Sequence, residues 1–193
     1  MTRTRVSILL ASSALLIASG ASAQQRMKGS GIVVAKDEVM PWLNEKQITA
    51  FMAAGDSLEI EIGRLAHEKG SDQRIREFGL MLANDHTTHL AKTWEIITDK
   101  QVGIEPIPDD VMAKDLREQL SWLQENPAGA GWDATFLRFQ AQHHQRAMNV
   151  LRLHTPNAGN DDLEDHLKKT QTSLAKHRDM AKSIATTLGV SLP

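Results

Sequence analysis

Four polar residues stand where an apolar helical stripe would call for a leucine. Glu59 comes four residues after Gly55 and three before Ile62, and His86 four after Leu82. His144 follows Gln140 by four and precedes Ala147 by three, and His177 lies three after Leu174 and four before Ala181. Spacings of three and four return to one helical face, so each group is expected to point inward. Asp85 flanks His86 and His143 flanks His144, while His89 and His166 fall on nearly the same faces as His86 and His177.

An unpaired buried carboxylate is costly and an unpaired buried imidazole less so, and both demand partners. A divalent cation would supply them. Neutral imidazole with ionised carboxylate suits Zn, Fe, Mn, Ni or Cu, and with no cysteine in the chain any metal site must use His, Asp or Glu. The candidate metal ligands are Glu59, Asp85, His86, His144 and His177, with Asp85 either a ligand or the acceptor that fixes a histidine tautomer. The first reading is therefore a protein binding one divalent transition metal in its core. The alternative is a non-catalytic structural or interaction protein whose inward Glu and His groups form a hydrogen-bonded network completed by water. A third reading, a hydrolase with Glu59 or Asp85 as general base, needs a substrate cleft that the sequence does not announce. No Gly-rich phosphate loop and no nucleophile elbow is present, so no catalytic residue and no organic cofactor is assigned, and the sequence leans away from an enzyme.

Other polar and aromatic positions have ordinary explanations. The Asp85–His89 spacing in NDHTTH is common by chance. His67 and His154 close predicted helices, where a helix dipole favours them. Trp42, Trp94, Trp122 and Trp132 are spread over several segments and read as packing residues, and the methionines mostly occupy apolar helical positions.

The elements that must position these groups are helices. One is predicted from about Asn44 to Lys69, with Ile48, Phe51, Met52, Gly55, Leu58, Ile62 and Leu65 on its inner face. Gly70 ends it and Ser71-Asp72 opens the second, which carries Ile75, Phe78, Leu82, His86, His89, Thr93 and Ile97 and stops before Gly103. The stretch GIEPIPDD, with Pro106 and Pro108, reads as a surface connector to a short helix over 110–125. Asn126-Pro127 and AGAG break the chain. A third long helix then runs from about Asp133 to His154, and a fourth follows TPNAGN with a seven-residue repeat from Leu163 to Leu188. No alternating β-branched run and no tyrosine occurs. The predicted fold class is all-α, a four-helix bundle with a short extra helix in the crossover between the second and third long helices.

The N-terminus speaks about compartment. Residues 1–23 combine Arg3 and Arg5, an apolar stretch from Val6 to Ser19 and a small-residue site at Ala21-Ser22-Ala23, the pattern of a cleaved secretory signal peptide. The stretch is shorter than the ~20 residues a spanning helix needs, so no transmembrane anchor is expected in the mature chain. Residues 24–43 read as a mobile lead-in and 44–190 as the folded domain, placed in the periplasm or outside the cell. With 22 Lys+Arg against 24 Asp+Glu, no basic field exists to attract nucleic acid. Partner proteins are not named by the sequence.

Four blocks carry a resemblance: LEIEIGRLAHEKGSD, FGLMLANDHTTH, WDATFLRFQAQHHQ and SLAKHRDMAKSIA. With these the chain resembles the bacterial secreted family catalogued as domain of unknown function 4142, whose members look like ferritin-type four-helix bundles. The likeness covers about residues 44–190. It implies a Glu at Glu59, an Asp-His pair at Asp85-His86, a second such pair at His143-His144 and a His at His177. His143 stands where the family pattern has Asp. The two Glu-x-x-His motifs of ferritin-like di-metal proteins are missing, so the resemblance implies the fold and not ferroxidase chemistry.

Overall fold

Five α-helices follow one another in the computed structural model, which describes residues 42–107 and 110–192. They are α1 (Glu45–Lys69), α2 (Gln73–Thr98), α3 (Val111–Glu125), α4 (Ala130–His154) and α5 (Asp161–Thr187), with a 3-10 turn, Thr155–Asn157, between the last two. Among the described residues there is no strand, and the all-α class holds, with α3 as the short helix of the α2-to-α4 crossover. The expected signal peptide and lead-in through Pro41, and Pro108 and Asp109 of the connector, lie outside the described residues.

The helix ends follow from local chemistry. Asn44 caps α1 in a reciprocal box with Gln47, and the side chains of Asp72, Asp110 and Asn160 accept from the first turns of α2, α3 and α5. The helix α4 starts at Ala130, three residues before the expected Asp133. The turn that precedes it is made by Gly129 alone, at a φ of +147, so Gly131 is free to join the first helical turn. The last turn of α2 is closed when Val102 and Gly103 donate back to the carbonyls of Ile96 and Ile97, with Gln101 at φ +57 and Gly103 at +80. Lys69 reaches from α1 to cap α3, donating to the carbonyls of Leu123, Gln124 and Asn126.

Packing pairs α1 with α2 and α4 with α5, joins the pairs through α2 and α5, and lays α3 against α1. The α1–α2 contact is close because Gly63 and Gly79 face each other. A Cβ on Gly79 would sit 2.6 Å from the Gly63 carbonyl oxygen, and one on Gly63 would sit 2.7 Å from that of Gly79. The chain entering α1 is pinned by His154, whose Nδ1–H donates to the Val150 carbonyl and whose Nε2 accepts the Leu43 N–H at 2.9 Å. Of the tryptophans, Trp132 is buried, whereas Trp42 and Trp94 are exposed.

The core is split in two. One apolar cluster gathers Ile62, Phe78, Leu82, Trp132, Phe136, Leu137 and Ile184, and the other gathers Ile48, Met52, Ile96, Met148, Leu151, Leu163 and Leu174. Along each long helix, buried polar residues lie at the junction: Asp56 and Glu59 on α1, His86 on α2, Gln140, His143 and His144 on α4, and His177 on α5. A polar layer therefore crosses the middle of the bundle between two apolar halves.

Candidate metal centre

Three histidines from three helices converge in this layer. One ring nitrogen from each of His86, His144 and His177 lies within 4.8 Å of the others, and all three residues are buried. Each ring is held from behind. His86 Nδ1 lies 2.7 Å from Asp56 Oδ1, His144 Nδ1 lies 2.9 Å from the Gln140 carbonyl oxygen, and His177 Nε2 lies 2.9 Å from Asp85 Oδ2. These partners are acceptors, so the nitrogen facing each carries a proton, and in the neutral ring the opposite nitrogen is left with a lone pair. The inward atoms are thus His86 Nε2, His144 Nε2 and His177 Nδ1. His86 Nε2 has no hydrogen-bond partner, and His144 Nε2 lies 3.3 Å from His177 Nδ1. Two neutral acceptors at that distance repel unless a cation or a proton comes between them.

The field at the site keeps most of these rings neutral. Burial pulls His144 well below the ordinary imidazole value, and burial followed by the charge of His86 brings His177 to about 4. His143 falls to about 3 through burial and then Arg146. His86 is the exception. Burial pulls it down, but the hydrogen bond and charge of Asp56, with the charges of Glu59 and Asp85, together outweigh burial and leave it raised. Burial raises Glu59, opposed in part by His86 and by a hydrogen bond from Gln140. Asp85 is less enclosed; burial raises it, but the bond and charge of His177 together with Lys176 outweigh burial and hold it below the usual carboxylate range.

The five candidate residues therefore take three positions. His86, His144 and His177 meet at one point. Asp85 sits behind His177, in the place of an acceptor that fixes the tautomer. Glu59 is buried beside the triad, where its Oε2 accepts from Gln140 Nε2 at 2.9 Å. Its Oε1 has no partner and lies 3.8 Å from His143 Nε2. Sequence reading missed Asp56, which supports His86, although it lies four residues after Met52 and three before Glu59 on the same face. His89 and His166 form a neighbouring pair whose rings are 5.8 Å apart. The Thr93 hydroxyl lies 3.0 Å from His166 Nε2, and that of Thr170 lies 3.3 Å from His89 Nδ1.

A family model described as "Domain of unknown function (DUF4142)" matches residues 35–184. Among solved structures, CopM in the Cu(II)-bound form is similar, with a TM-score of 0.58, 17% sequence identity, and coverage of 77% of this chain and 99% of that one. At that identity the likeness shows a shared fold. No curated protein matches the chain in sequence.

Proposed function

We propose a function for a chain that belongs to the DUF4142 family: it is an exported protein that binds one divalent transition-metal ion through His86, His144 and His177. The observation that carries this reading is the direction of three lone pairs. Each imidazole gives its N–H outward to an acceptor and turns its bare nitrogen toward the same point, the arrangement in which metal-ligating histidines are oriented. Asp56, Asp85 and the Gln140 carbonyl are those acceptors, and they fix both ring angle and tautomer. A three-imidazole set suits Zn, Cu, Ni or Fe, and the Cu(II) carried by CopM supports keeping copper among them. Bound Cu or Fe would supply one-electron chemistry and bound Zn a Lewis acid. The chain's own residues orient the rings, keep His144 and His177 unprotonated at neutral pH, and shield the site between two apolar clusters.

A purely hydrogen-bonded core accounts for the outer nitrogens only. It leaves His86 Nε2 without a partner and two acceptors facing each other, which favours the metal reading. Export rests on residues 1–23. No helix among the described residues is long and apolar enough to cross a membrane.

The test is titration of metal-free protein with Zn(II), Co(II) and Cu(II), followed by removal of excess metal and elemental analysis. One equivalent is expected in the wild type and in His67→Ala, whose ring is exposed, and none in His177→Ala. Equal uptake by both variants would refute the assignment.

A further inference from the structure

Beside the triad lies a cavity of about 30 Å³, lined on its polar side by Asp56, Glu59, His86, His143 and His144 and on its apolar side by residues that include Phe51, Met52 and Leu151. We propose that this cavity is the open fourth coordination position of the triad, that it takes one small hydrogen-bond-donating ligand, water at rest, and that Glu59 turns anions away. The inference rests on the metal reading above and adds what the metal would present to solvent.

Three observations place the position there. His86 and His144 line the cavity, so an ion held by the three rings adjoins it on the side away from His177. Three atoms of the cavity's lining residues, Asp56 Oδ2, Glu59 Oε1 and His86 Nε2, are buried without any hydrogen-bond partner. If the ion takes His86 Nε2, the two carboxylate oxygens still need a donor. The 3.8 Å between Glu59 Oε1 and His143 Nε2 is too long for a hydrogen bond and invites a bridging molecule. A site for water needs roughly 10–15 Å³ and two to four polar partners, and this cavity offers both. Structural metal sites are closed by a fourth protein ligand, whereas reactive ones keep one position for water or substrate.

The lining also sets what can enter. Its unsatisfied oxygens are acceptors, and they belong to carboxylates, so a ligand that donates a hydrogen is held and an anion is repelled. His143 has a role in this arrangement that an ionised carboxylate could not fill, because its ring can donate to the same ligand.

The full chain loaded with one equivalent of Cu(II) and titrated with azide tests the proposal, read by the azide-to-copper charge-transfer band. Azide is expected to bind one per copper, and at least about tenfold more tightly in Glu59→Gln, because removing one close charge in a shielded site is worth no less than that factor. Glu61→Gln, on the exposed side of the same helix, should match the wild type. Wild-type Cu(II) protein should also show a coupling of exchangeable protons to the copper electron spin that disappears in deuterated solvent, independently of any variant. No azide band and no exchangeable-proton coupling in copper-loaded protein would overturn the open position. Equal azide affinity in the wild type and Glu59→Gln would overturn the role of Glu59. Failure of the wild type to retain copper would instead overturn the metal reading itself.

Discussion

Asp56→Asn isolates what a buried acceptor does for the triad. The carboxylate oxygen lies 2.7 Å from His86 Nδ1, and both side chains are almost fully enclosed, at 5% and 3% exposure. Solvent therefore screens little of the interaction. The amide keeps a neutral acceptor in place but loses the charge, and charge-assisted hydrogen bonds are roughly twice as strong as neutral ones. Loss of such a supporting partner typically lowers metal affinity about 10- to 100-fold, or about 1.4–2.7 kcal/mol. At a metal concentration about 1,000 times the wild-type Kd, binding stabilises the fold by about 4.1 kcal/mol. For a domain of this size that is a Tm shift of roughly 8–16 °C. The variant should retain about 1.4–2.7 kcal/mol under the same conditions, a shift of roughly 3–11 °C. Paired melts with and without Zn(II), supported by a chelator-competition titration, measure both quantities. Asp85→Asn should act in the same direction and more weakly, because Asp85 is 32% exposed. A full metal-induced shift in Asp56→Asn would refute the assignment of Asp56 as the group that orients His86.

Further outcomes follow from other parts of the molecule. His143, His166 and His177, held at about 3, about 4 and about 4, stay neutral in the fold at pH values where an unfolded chain would protonate them. Their contribution is full above about pH 6.5 and is lost as the pH falls toward 4, by about 1.4 kcal/mol per unit for each. His86, raised by Asp56 despite its burial, runs the opposite way. Those three, with His144, which burial also depresses, outweigh His86 and Glu59, whose raised carboxyl runs the same way as His86, so the Tm of metal-free protein should be lower at pH 5 than at pH 7 by several degrees, and a flat profile would contradict the burial of neutral rings. Gly79→Ala should cost about 1–3 kcal/mol in chemical denaturation, because its Cβ has nowhere to go, whereas Gly131→Ala meets nothing within 4 Å and should not destabilise. His154→Ala should cost about 1–3 kcal/mol by leaving the Leu43 N–H without its acceptor, against a smaller loss for His67→Ala, whose bond to the Arg76 carbonyl is exposed to solvent.

Much of this architecture was legible because helices announce themselves locally. Asn44, Asp72, Gly70 and Pro127 mark ends by capping and turn chemistry, and the three-and-four spacing of Ile48 to Leu65 and of Leu163 to Ile184 marks the buried faces. The same periodicity placed Glu59, His86, His144 and His177 inward, as their burial confirms. Their mutual depth was not legible. Periodicity fixes the face of a helix but not how far one helix slides along another, so it could not tell that three rings meet while Glu59 lines the adjoining cavity. Asp56 shares the face of Glu59, but only His86 across the interface explains its burial. His154 reads locally as a dipole partner at a helix end. Its bond to Leu43, 111 residues away, is a tertiary contact without a local signature.

The most direct test of the metal site is anomalous diffraction from crystals of the mature protein grown with Zn(II) or Cu(II). A single strong peak is expected about 2.0–2.1 Å from His86 Nε2, His144 Nε2 and His177 Nδ1. Peaks confined to surface groups such as His67, with the three inner nitrogens bridged by water alone, would contradict it.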